Sequence, residues 1–159
     1  MQTAIVYATK HGATAEVARR LADQFSSEAT VFNLADAEPD LTEFETVVLG
    51  TAIYVGQPMA TMKAFAPKAQ LDGKRLGLFI CAMEDDPATI QKELSGAFPD
   101  ELHEKAVAKA CLGGRFQLGK MSAPERFIIK RLKKIKQDVD AIDSAGIVTF
   151  ARQLTAPGD

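Results

Sequence analysis

Apolar residues along this chain fall into two alternating rhythms. One is the short, nearly unbroken run: Thr3-Ala4-Ile5-Val6, Ala29-Thr30-Val31-Phe32-Asn33-Leu34, Thr46 to Ala52, Arg75 to Ala82 and Ala106 to Leu112. Runs of that length, rich in β-branched residues and bounded by turn signals, predict strands covered on both faces. The other rhythm repeats every three to four residues and predicts helices. It places Val17, Ala18, Leu21, Ala22 and Phe25 on one face, then Met59, Met62, Phe65, Ala66 and Ala69, then Ile90 and Leu94. Two further stripes follow, Ile128, Leu132, Ile135 and Val139, and Ile147, Phe150, Ala151 and Leu154.

Polar punctuation separates these segments where each element must stop. Asp36 to Asp40 and Leu71-Asp72-Gly73-Lys74 read as turns, and Gly113-Gly114 closes the fifth strand. Asp86-Pro87 supplies an N-cap and a first-turn proline. Ser122-Ala123-Pro124-Glu125 is a capping box, in which the serine and glutamate side chains each bond an amide of the other's turn. The last helix starts near Asp143-Ser144 and ends before Pro157-Gly158. Strands alternating with helices of these lengths imply a parallel sheet, and right-handed crossovers make it doubly wound, an α/β fold. Its ligand site then belongs at the carboxyl ends of the strands.

Composition adds a few bounds. With 159 residues, 47% hydrophobic and 25% charged, the chain predicts one domain over 1–159 with a full core. No apolar run is long enough to span a bilayer, and the N-terminus enters a strand at once, so neither a membrane span nor a signal peptide is expected. The two cysteines, Cys81 and Cys111, form no C-x-x-C and are expected as reduced, buried thiols of a cytoplasmic protein. The net charge of −2 conceals acidic collections at 36–45 and 84–104 and a basic block from Arg126 to Lys136. Nothing in this pattern calls for nucleic acid.

The candidate chemistry starts where the first strand meets the first helix, at Thr9-Lys10-His11-Gly12-Ala13-Thr14. A helix N-terminus presents unpaired amides and the positive end of its dipole, which suits an anion. Gly12 allows close backbone approach, and the Thr9 and Thr14 hydroxyls can each add a hydrogen bond. The loop has neither a G-x-G-x-x-G nor a G-x-x-x-x-G-K-[ST] pattern. A dehydrogenase fingerprint is therefore missing. A phosphoacceptor domain would need an aspartate where the third strand ends in Gly50-Thr51. A nucleophilic hydrolase would need an elbow and a histidine partner, which neither His11 nor His103 provides.

The loop resembles the T-x-x-G-x-T phosphate loop of flavodoxins, which follows the first strand and holds the terminal phosphate of FMN. The resemblance implies the strand order 2-1-3-4-5, with FMN at the switch between the first and third strands. It implies that Thr9, Lys10, His11, Gly12, Ala13 and Thr14 meet the phosphate, with the anion favouring a charged His11. Thr51, Ala52, Ile53, Tyr54, Val55 and Gly56 would run along the flavin ring, with Tyr54 stacking and the Gly56 peptide reaching N5. Cys81, Ala82, Met83 and Glu84 would meet the pyrimidine edge, and the outer face would be either open or covered by Met83 or Phe116.

Further segments resemble one branch of that family, the flavodoxin-like protoporphyrinogen oxidase that passes electrons to menaquinone. They are Gly50 to Gly56, Gly113-Gly114-Arg115-Phe116, Glu125 to Lys130 and Val148 to Arg152. The chain departs from that branch at Ser95 to Glu101, short and acidic where the branch carries an aromatic, Arg-rich insertion. The resemblance implies an FMN electron-transfer protein, with oxidation of a porphyrinogen or coupling to a quinone as the enzymatic alternative. A redox partner protein, a quinone or a porphyrinogen would be its partners. The basic helix over 123–136 would also suit an anionic membrane surface, so a peripheral place on the inner membrane face accompanies the cytoplasmic expectation.

Overall fold

The computed structural model describes residues 2–26, 28–116, 119, 121–132 and 138–156, with Phe116, Ile129 and Leu132 described by their backbone alone. Strand β1 (Thr3–Ala8) lies at the centre of a parallel sheet between β2 (Ala29–Asn33) and β3 (Thr46–Tyr54). Beyond β3 come β5 (Arg75–Cys81) and β6 (Ala106–Cys111), and a short β4 (Gln57–Pro58) hangs antiparallel on the end of β3. With β4 set aside, the five long strands stand in the order 2-1-3-4-5, as the flavodoxin resemblance implies.

Period-two alternation assigns every second strand residue to one of two cores. Ala4, Val6, Val47, Leu49, Leu76, Leu78 and Ile80 face α2 (Ala60–Phe65), α3 (Pro87–Ala97) and α4 (Asp100–Lys105), through Met62, Phe65, Leu94 and Leu102. Ile5, Val48 and Phe79 face the other way, toward α1 (Ala13–Ala22) and α6 (Ser144–Thr155), through Val17, Leu21, Ile147, Phe150 and Leu154. The cap expected at Asp86 and the start expected near Asp143 both hold. Asp86 caps α3 by accepting from Thr89 N–H, and Asp143 caps α6 by accepting from Gly146 N–H. Among the described residues no helix is long and apolar enough to cross a membrane.

At three places the structure changes or adds to these expectations. The helix after Met59 stops at Phe65 and tightens to a single 3-10 turn over Ala66–Lys68, because Pro67 has no amide to continue the α-helical ladder. The acidic segment near Glu101 is helix α4, whose Asp100 and Glu101 lie in the first turn, where the dipole favours them. The stripe expected from Ile128 to Val139 is not one core-facing helix. Helix α5 (Ala123–Leu132) is followed by β8 (Val139–Asp140), which pairs antiparallel with β7 (Arg115–Phe116). Ile128 is exposed, not buried, while the Leu132 side chain, Ile135 and the cations at 133, 134 and 136 lie outside the described residues. Helix α5 is thus held on a two-stranded ribbon inserted between β6 and α6.

Candidate functional site

Parallel pairing sets the site by register. Ala8 stands opposite Thr51, Ala52 opposite Cys81, and Ile80 opposite Cys111. The chain leaves four adjacent strands at one level, so the loops after β1, β3, β5 and β6 open at the same edge of the sheet.

The first loop is a tight turn that leads straight into α1. Gly12 is the N-cap of α1 at φ 93°, in left-handed territory that a residue with a Cβ rarely adopts. Its amide donates to Thr9 Oγ1 at 3.0 Å, so Thr9 shapes the turn as well as lining it. Thr14, one residue into α1, is wholly buried, and its Oγ1 has no hydrogen-bond partner. Its polar neighbour is the Cys81 thiol, which burial pushes up to about 12 against a smaller opposing effect of Thr14. An orphaned hydroxyl inside the loop is the kind of group that a ligand oxygen satisfies.

The third strand continues further than the apolar run suggested and folds back on itself. Ile53 pairs with Pro58 and Tyr54 with Gln57, leaving Val55 and Gly56 as a two-residue turn with φ 51° and 74°. Positive φ at both positions is the type I′ pattern that matches hairpin twist. Gly56 adopts it freely. Val55 does not, since a β-branched side chain is crowded there, and it stands 71% exposed at the mouth of the site. Thr51 takes a different role from the one expected of it. It is fully buried, donates to Ala52 O and accepts Met59 N–H, both at 3.1 Å, and so closes the hairpin onto α2 instead of facing a ligand.

The loop after β5 is anchored by Ala82 N–H donating to Gly113 O at 3.0 Å. Glu84 Oε1 accepts the amides of both Asp85 and Asp86 at 3.1 Å, and Asp86 is committed to capping α3, with the Thr89 hydroxyl the main cause of its lowered pKa. Cys81 and Cys111 are free thiols, the first buried and the second partly so.

Two joined hollows result. A small one, about 80 Å³, is lined by Thr9, Lys10, His11 and Ala13 of the loop after β1 with Ala52, Cys81, Gly114, Arg115 and Met121. A larger one, about 620 Å³, lies between the hairpin residues Val55 and Gly56, Glu84, the α3 residues Lys92 and Gly96, and the α5 residues Glu125 and Ile128. Ile53, Tyr54, Ala82 and Met83 line both. The structure therefore gathers most of the predicted residues of all three loops, while Gly12 lines neither hollow and Thr14 and Thr51 are buried behind them. The Phe116 side chain lies outside the described residues.

Helix α5 brings a residue that sequence reasoning placed only in a cap. Glu125 Oε1 accepts Ser122 N–H at 3.1 Å, and Glu125 N–H donates to Ser122 Oγ at 3.3 Å, which is the capping box expected there. The second carboxylate oxygen, Oε2, lies 2.8 Å from His11 Nε2, with both side chains about 15% exposed. Burial opposes the Glu125 charge, yet bonds from Ser122, His11 and Tyr54 outweigh it and bring the carboxyl to about 2. Tyr54 is raised in turn, first by burial and then by Glu125. The His11 ring meets Tyr54 edge-on at 6.3 Å, and Lys10 Nζ sits 4.5 Å from the centroid of the Tyr54 ring. The S-x-x-E signal was legible; its reach across the sheet to His11 was not.

A family model described as a flavodoxin domain matches residues 4–143. Among solved structures, the chain is similar to a flavodoxin from Fusobacterium nucleatum bound to flavin mononucleotide, 16% identical over 96% of each chain with a TM-score of 0.57. It is also similar to a short-chain flavodoxin associated with a non-canonical PDU bacterial microcompartment, 19% identical over 95% of this chain and 99% of that one, TM-score 0.54. A third is a flavoprotein of Bacteroides uniformis, 17% identical over 84% and 98%, TM-score 0.51. No curated protein matches the chain.

Proposed function

The chain belongs to the flavodoxin domain family, and from that premise we propose that it binds one FMN non-covalently and transfers electrons to a redox partner protein. The observation that carries this reading is the phosphate loop. It combines a left-handed glycine N-cap, an orphaned buried threonine hydroxyl and the side chains of Lys10 and His11, and it opens between β1 and β3, where the strand order reverses. Thr9, Lys10, His11 and the first amides of α1 would hold the phosphate. Tyr54, Gly56, Ala82 and Met83 would flank the ring, and Glu84 would stand near it. FMN supplies reversible electron transfer; the protein supplies orientation and the field around the ring. Calorimetric titration should give one FMN per chain, with riboflavin weaker for want of the phosphate and FAD weaker for want of an adenine pocket. Correctly folded protein that takes up no FMN defeats the reading.

The exposed face of α5 favours an anionic partner. Phe127 is 62% exposed, Ile128 is 38% exposed, and Lys130 and Arg131 stand beside them, Arg131 over the Phe127 ring at 5.8 Å. The finer reading is peripheral contact with an anionic bilayer, where each basic residue near the surface contributes about 1 kcal/mol. Vesicles containing phosphatidylserine should co-sediment the protein at low salt and neutral vesicles should not, with the difference lost on K130Q/R131Q. Retention of binding in that variant would remove α5 from the contact. A porphyrinogen or a quinone as electron donor or acceptor is the enzymatic alternative. It rests on the apolar hollow of about 620 Å³ beside Tyr54, and turnover of protoporphyrinogen by the FMN-loaded protein would favour it over the shuttle.

A further inference from the structure

The Glu125 carboxylate is shared between two jobs on two elements. One oxygen completes the capping box of α5, and the other binds Nε2 of His11 in the loop after β1. The sequence separation is 114 residues, so this pair is a product of the tertiary fold. It is held on both sides. Ser122 fixes the carboxylate through its own amide, Tyr54 of the hairpin adds to the bonds that keep it ionised, and only about 15% of either side chain reaches solvent. A pair so placed is far from the exposed, mobile ion pairs that contribute little.

We infer that Glu125 is a positioning residue for the phosphate of the cofactor: by engaging His11 Nε2 it presents the other ring nitrogen to the anion. The inference rests on the FMN reading above and assigns a residue to it. His11 lines the small hollow with Thr9 and Lys10, and commitment of Nε2 to Glu125 leaves Nδ1 as the ring atom for a ligand. A ring with a proton on both nitrogens donates to the carboxylate on one side and to a phosphate on the other. A carboxylate that orients an imidazole toward a third group is a recurrent arrangement where the imidazole must bind or transfer charge. The same bond ties α5, and the face it exposes, to the state of the phosphate loop.

The substitution E125Q separates the two jobs. Glutamine serves a capping box as well as glutamate does, so α5 keeps its start. The amide cannot supply the negative charge that His11 meets. FMN affinity in E125Q should fall about tenfold, the scale of a charge-assisted hydrogen bond, while riboflavin affinity stays within about twofold because it lacks the phosphate. Ser122→Ala weakens the cap and leaves the His11 pair, so it should not change the ratio of the two affinities. With only two histidines in the chain, side-chain 15N spectra give an independent readout: the His11 Nε2 signal should move in E125Q and stay in Ser122→Ala. Wild-type protein that fails to bind FMN defeats the cofactor reading and this inference with it. Wild type that binds FMN, with E125Q weakening FMN and riboflavin equally, strengthening FMN, or leaving the ratio unchanged, overturns this inference alone.

Discussion

Replacing Gly50 by alanine should destabilise the protein by about 3 kcal/mol, the upper end for forcing extra volume into a packed core. Gly50 is in β3 and pairs with Phe79 of β5, whose ring lies directly over it. A Cβ built on Gly50 would overlap Cζ, Cε1 and Cε2 of that ring. The ring has nowhere cheap to go, since Phe79 is fully buried and packs edge-on against Phe150 of α6 at 6.0 Å. Denaturant unfolding would measure the loss, and the Tm should drop by about 10 °C for a chain of this size. The double variant G50A/F79L tests the cause, because a smaller, flexible side chain can share space with the new methyl. Its cost should be well below the sum of the two single costs. A Gly50→Ala protein as stable as wild type would show that the ring yields freely.

Thr14→Val should act with opposite signs on folding and on cofactor binding. Valine nearly matches threonine in shape and in helix propensity, so packing is conserved and only the hydroxyl is lost. Thr14 is completely buried and its Oγ1 is unpartnered. Removing an unsatisfied buried hydroxyl should stabilise the protein without cofactor by about 1 kcal/mol. If that hydroxyl donates to the phosphate when FMN binds, FMN affinity should fall by about 1–2 kcal/mol, roughly tenfold, and riboflavin affinity should hold. Thermal unfolding without ligand and parallel titrations with FMN and riboflavin read the two effects separately. Unchanged FMN affinity would return Thr14 to the core and leave Thr9, Lys10 and His11 as the phosphate side chains.

What the sequence determined by itself is the local layer. Whether a segment is strand or helix follows from the spacing of its apolar residues, and the apolar runs of β1, β3 and β5 were long enough to be unambiguous. Helix starts follow from chemistry within four residues, which is why the caps at Asp86 and Ser122 and the helix start at Asp143 stand where the sequence puts them. The T-x-x-G-x-T loop belongs to the same layer, since Gly12, Thr9 and the helix N-terminus are neighbours in the chain. The tertiary structure alone decided what each side chain meets. The periodicity of Ile128 reports an apolar stripe but not which surface lies opposite; in the fold Ile128 is exposed and lines the larger hollow instead of a buried core. The flavodoxin resemblance puts Thr51 beside the flavin ring; the fold brings the Met59 amide to its hydroxyl. Tyr54 and Val55 were read as open loop until the antiparallel return of β4 made them a hairpin. Glu125 and His11 meet across 114 residues through partners chosen by packing, and no local pattern encodes a distance of that kind, because hydrogen bonding is short-ranged in space while a sequence orders residues only along the chain.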